Sequence, residues 1–154
     1  MSRRRARELA LQALFQIDVG RSEPETAIFQ ALTRDVEGDW SPAQLPEKDR
    51  EYARLLVQGA YEFRSESDGL IARYAKDWSV ERMASVDRAI LRLAVYEIIH
   101  QEDVPDGVVA DEAVELAKAY STAESSKFIN GILGSVIRGM KQGAEGANPT
   151  LSGH

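Results

Sequence analysis

Between Ser85 and Gln101 the chain carries a stretch that leaves few options for the fold. Ten of the fourteen residues from Val86 to Ile99 are apolar. Ile90, Leu93, Ala94 and Ile98 share one face of a helix, while Val86, Leu91, Val95 and Ile99 spread far round the cylinder. A helix that is apolar on almost every side has to be covered on almost every side. The pattern therefore predicts a central helix with the remaining elements packed around it, started by Ser85 as N-cap with Asp87 in the positive first turn. The polar exceptions, Asp87, Arg88, Arg92 and Glu97, become informative for that reason, and Arg88 and Arg92 fall on one face.

The rest of the sequence supplies helices to do the covering. Arg3, Arg4, Arg5 and Arg7 lead into a first helix that ends near Val19, with Gly20 as its C′ residue. Its buried stripe reads Ala6, Leu9, Ala10, Ala13, Leu14 and Ile17, which leaves Leu11 and Phe15 off the stripe and Phe15 exposed. A second helix, capped by Ser22 with Pro24 in its first turn, runs to about Asp35 and buries Ala27, Ile28, Ala31 and Leu32. A loop of residues 36–46 follows, which Trp40 and Leu45 pin to the core. The third helix starts at Pro46 and turns Tyr52, Leu55, Leu56, Gly59, Ala60 and Phe63 inward. The fourth starts at Ser65 or Ser67 and places Leu70, Ile71 and Tyr74 at helical spacing, and residues 78–82 read as a turn with a short helical piece. Beyond the loop after His100, a sixth helix from about Val108 to Tyr120 buries Val109, Ala113, Leu116, Ala117 and Tyr120. The last helix opens at Ser121 or Thr122 and buries Ile129, Ile132, Leu133, Val136, Ile137 and Met140. Gly131 and Gly134 interrupt it at about 1 kcal/mol each relative to alanine, which close approach of another helix or a ligand would offset. Residues 143–154 read as a disordered tail. No segment alternates with a period of two and none repeats, so the fold class is all-α with about seven helices.

Composition narrows the chemistry. The absence of cysteine removes disulfides, thiolate metal sites and a cysteine nucleophile. No apolar run is long enough to span a bilayer. Glu8, Gln12, Gln16 and Asp18 break the apolar part of the N-terminal stretch and argue against a secretory signal. Phosphate loops, dinucleotide fingerprints, zinc-binding helices and nucleophile elbows are all missing, so neither an enzyme nor a cofactor is expected. Of the two histidines, His100 sits at the negative end of the central helix and His154 in the tail. The pair Asp111 and Glu112 reads as solvated helix surface. The arginine cluster is the sharpest chemical signal, because guanidinium grips phosphate with paired donors. In a chain of net charge −6 it reads either as a solvated arm or as a local RNA or DNA site. Lys127 and Phe128, at the start of the last helix, read as core-edge packing or as a cation beside an aromatic that stacks an unpaired base.

Four segments in order carry a resemblance. The opening from Arg3 to Phe15 resembles that of the NusB family of bacterial transcription antitermination factors. Val86 to Glu97 is similar to the family's central helix, Val104-Pro105 and Asp111 to Lys118 to its next segment, and Ser126 to Leu133 to its last helix. The match covers about residues 3–140, with little of it between Val19 and Pro46.

The resemblance implies one all-α domain over residues 1–142, built as two three-helix bundles (about 1–77 and 78–142) packed across each other with a seventh helix. It implies a cytoplasmic protein without catalysis that binds the boxA element of ribosomal RNA leader transcripts. It does so with NusE, a small-subunit ribosomal protein, and the pair joins an RNA polymerase antitermination complex. Arg3, Arg4, Arg5 and Arg7 would hold RNA phosphates, Lys127, Phe128 and Tyr74 would contact RNA from the other side, and Phe15 and Asp87 would face NusE. Some family members carry Asp where Glu124 stands beside the RNA site. Two other readings stay open from the residues themselves: a helical protein–protein adaptor with a merely solvated arm, and a homodimer that buries Phe15. The same fold also occurs fused to ribosomal RNA methyltransferases, an activity not expected of these residues, which hold no Rossmann half.

Overall fold

The computed structural model describes residues 2–34, 38, 40–76 and 79–151, with side chains from residue 3 to residue 140. Residues 1, 35–37, 39 and 77, Trp78, and residues 152–154 with His154 lie outside them. Seven α-helices make up the described residues: α1 (Ser2–Asp18), α2 (Pro24–Thr33), α3 (Glu47–Glu62), α4 (Arg64–Tyr74), α5 (Ser85–His100), α6 (Asp106–Tyr120) and α7 (Ala123–Leu151). Two single 3-10 turns, Pro42–Gln44 and Val80–Arg82, join them. The class is all-α, as the periodicity requires.

α5 is the hub. It packs against α1, α3, α4, α6 and α7, which explains why apolar residues surround it. Ile90, Leu91 and Val95 are wholly buried, and truncating one of them to alanine costs about 2–5 kcal/mol. Its arginines tie the hub to its neighbours. Arg88 donates to Asp18 of α1 at 2.7 Å, and Arg92 grips Asp68 of α4 at 2.8 and 2.7 Å. At its far end the His100 ring stacks on Phe63 and Tyr96, with centroids 4.1 and 5.0 Å away. Trp40 and Leu45 do pack the α2–α3 loop onto the core.

Several local expectations are corrected. Leu11 is only 2% exposed and Phe15 is half-buried, because α1 touches α2, α3 and α5 and so needs more than one apolar stripe. Leu55, Tyr120 and Met140 are exposed instead of buried, since their helices are covered on other sides. Ser85 lies inside α5 with Ala84 as the N-cap residue, and Glu23, not Ser22, precedes α2. The Ser22 N–H instead donates to the Gln16 carbonyl, closing the end of α1. The left-handed residue of that turn is Arg21, at φ +56°, and not Gly20. α7 itself is drawn as far as Leu151.

The close approaches fall on other glycines than those expected. Nothing lies within 4 Å of a side chain built at Gly131, and Gly134 would meet only the tip of Arg138. A side chain at Gly59 would collide with the Tyr96 ring, and one at Gly139 with the Tyr74 hydroxyl. These two glycines let α5 approach α3, and α7 approach α4.

Candidate nucleic-acid interface

The arginine arm forms the first turns of α1, and its four residues meet two different fates. Arg3, Arg4 and Arg5 reach the surface, while Arg7 does not. The Arg3 guanidinium lies over the Tyr52 ring, 4.2 Å from its centre, and 3.7 Å from Asp103. Arg5 covers Trp40 at 4.5 Å and pairs with Glu8 one turn on at 3.1 Å. Arg4 crosses to α6, where Nε and Nη2 donate to the two oxygens of Glu112 at 3.0 and 2.7 Å. Arginines laid flat on aromatic rings keep their donor edges turned outward.

Arg7, expected to hold a phosphate, is 5% exposed. Its Nε and Nη2 donate to Glu97, a residue of α5 that is 1% exposed. The Tyr52 hydroxyl donates to the same carboxylate. Burial works against the Arg7 charge, but the hydrogen bonds and charge of Glu97 outweigh it and raise the guanidinium pKa. Burial, then the bond to Glu97, pushes the Tyr52 phenol up as well. A charged residue on a hydrophobic helix thus finds its partner inside. Glu112 lies 3.9 Å from Arg7, so Arg3, Tyr52, Glu97, Arg7, Glu112 and Arg4 form one continuous chain of contacts. Glu112 is therefore not the solvated surface residue its sequence suggests. The hydrogen bond from Arg4 holds its carboxyl below the usual glutamate range, with the charges of Arg4 and Arg7 adding to that.

α6 carries Glu112 against the arm and packs along α7, whose second turn holds Lys127 and Phe128. Lys127 is exposed, and Phe128 packs partly against the core. Tyr74 sits elsewhere. It reaches α7 at Gly139, twelve residues beyond Lys127 and so roughly 18 Å further along the helix axis.

A second surface lies between α1 and α2. Leu11, Phe15, Ala27, Ala31, Val86 and Tyr120 line a mainly apolar groove of about 450 Å³. It brings Phe15 next to Val86 at the start of α5. Asp87, next to Val86 in sequence, is 7% exposed. Its Oδ2 accepts a 2.7 Å bond from Ser125 Oγ of α7, and its Oδ1 is buried with no donor among the described residues. Asp87, expected to face a partner, thereby ties α5 to α7.

Sequence reading missed Tyr52, Trp40, Asp103 and Glu112, all of which touch the arm. One signal was available. Arg7, Ala10 and Leu14 share a face, and Glu97 lies on a helix that must be covered all round, so each helix carries a buried charge needing the other.

Residues 4–138 match the model of the NusB family. The transcription antitermination protein NusB of Symbiobacterium thermophilum is 66% identical over 152 residues, 99% of each chain. Among solved structures, T. maritima NusB superposes with a TM-score of 0.78 at 39% identity, over 88% of this chain and 90% of that one. A crystal structure of the antitermination factors NusB and NusE in complex with dsRNA matches with a TM-score of 0.76 at 27% identity, over 90% of this chain and 97% of that one.

Proposed function

Because the chain belongs to the NusB family, we propose that it is a non-enzymatic transcription antitermination factor that binds the boxA element of ribosomal RNA leader transcripts. It does so with the ribosomal protein NusE, and the pair joins RNA polymerase in a complex that resists termination. Its place of work is the bacterial cytoplasm. Among the described residues no helix is long and apolar enough to cross a membrane.

The observation that carries this reading is the exposed guanidinium cluster at the start of α1, on a fold that another NusB presents to NusE and RNA. Arg3, Arg4 and Arg5 hold RNA phosphates, and Arg7 holds the arm in place from inside. Lys127 adds a phosphate contact and Phe128 stacks a base at the start of α7, where the positive helix end also favours an anion. Tyr74 meets RNA only if the strand runs several turns along α7. NusE occupies the groove at Phe15, with Asp87 fixing its α5 wall from behind.

Titration with single-stranded boxA RNA, with and without NusE, tests this. Arg3, Arg4 and Arg5 replaced by alanine should weaken RNA binding and flatten its salt dependence by about 0.7 per lost phosphate contact. Unchanged affinity and slope would favour an adaptor with a solvated arm. Phe15→Ala should weaken NusE binding and leave RNA binding by the chain alone intact.

A further inference from the structure

The arm is a self-neutralised cluster. Every arginine in it has its own carboxylate: Asp103 for Arg3, Glu112 for Arg4, Glu8 for Arg5 and Glu97 for Arg7. In the first three pairs the arginine reaches the surface, where an incoming phosphate meets it. Resting on the reading that the arm binds RNA, we propose that Glu112 is an internal competitor for Arg4, so that RNA binds by exchanging this carboxylate for a phosphate.

Geometry singles out Glu112 among the three. It takes both Nε and Nη2 of Arg4, one of the two donor edges with which a guanidinium grips phosphate bidentately. Its side chain is largely covered, and Arg7 stands 3.9 Å behind it, so it cannot simply swing away. Asp103 is looser, 3.7 Å from Arg3 and well exposed, where solvent and salt screen it. Glu8 belongs to the same helix as Arg5 and forms only a single contact. Bound phosphate therefore sits beside a fixed negative charge or has to displace it. Either way the carboxylate lowers affinity for every phosphate chain, and it keeps an arginine-rich arm from holding RNA that offers nothing beyond its backbone.

The test is single-stranded boxA RNA titrated over a salt series against the full chain and three variants: Glu112→Gln, Arg4→Ala and the two combined. Glu112→Gln should tighten binding roughly two- to fivefold at low salt, an advantage that shrinks as salt rises. Its salt slope should steepen toward the additional ~0.7 of an uncompensated phosphate contact. The gain should vanish when Arg4 is also replaced, which a general change in surface charge would not produce. If Arg4→Ala weakens binding while Glu112→Gln, folded and with a thermal midpoint within a few degrees of the parent's, binds no better than the parent, competition is wrong and Glu112 positions Arg4. If Arg4→Ala binds like the parent, the reading of the arm itself fails. Should Glu112→Gln not fold, Asp103→Asn puts the same question to Arg3 from a fully surface position, with a smaller gain expected and no gain overturning the proposal.

Discussion

Arg4 and Arg7 stand one turn apart on α1, and each grips a glutamate with Nε and Nη2. The chemistry is the same and the surroundings are opposite. Arg7 and Glu97 are sealed between α1 and α5, with Tyr52 completing the carboxylate's bonds. Arg4 and Glu112 meet at the edge, with the guanidinium in water. Inside, neither charge can be solvated if the other leaves, so the pair fixes how α1 sits on α5. At the edge water replaces either partner, so the pair is exchangeable. One helix turn separates a structural ion pair from a binding group.

The largest effect should come from breaking the inner pair. Arg7→Ala should lower the unfolding free energy by about 3–5 kcal/mol in urea titrations, since it strands a buried carboxylate. A loss as small as that of a surface change would erase the distinction. Tyr52→Phe removes one bond to the same charged group and should cost about 1.5–3 kcal/mol. It leaves a ring for Arg3, so RNA affinity measured on the folded protein should stay near that of the parent. Arg4→Ala should lower the thermal midpoint only slightly and reduce the RNA salt slope by less than the ~0.7 of an uncompensated contact, the reverse of the Arg7 result. The smallest effect is on the acid side. The folded-state pKa of Glu112 is lowered, so its contribution is complete above its unfolded value of about 4.3 and is lost as pH falls through the lower folded value. Thermal midpoints of the parent and Glu112→Gln should differ slightly at neutral pH and converge in acid, sooner in high salt. A gap that widened in acid would reverse the sign assigned to this pair.

What sequence could reveal followed from distance along the chain. The helices were legible because a 3.6-residue period is a local property, and α5 stood out because its apolar residues ignored that period. Leu11 and Leu55 were misplaced because a single stripe was assumed where the neighbours decide: α1 packs against α2, α3 and α5, and α3 leaves Leu55 outside. The arm was legible as charge, but not as two kinds of charge, since its discriminating partners lie on α5, α6 and the loop between them. Asp87 looked like an open polar residue for the same reason. Its partner Ser125 is on another helix. The glycines in α7 misled differently. A glycine at helical spacing suggests close packing, yet Gly131 faces open space and the tight contact is at Gly139.

The contacts of the arm span 90 residues from Arg7 to Glu97 and 108 from Arg4 to Glu112. During synthesis the arginines leave the ribosome first, and at about 5–20 residues per second their partners follow on the order of 5–20 s later. For that interval the emerging chain carries a cationic stretch next to ribosomal RNA, with only Glu8 of its eventual carboxylate partners yet made. Neutralisation of the arm then coincides with docking of α5 and α6 onto α1, so the charge of this end is set by the completed fold and not by its own sequence.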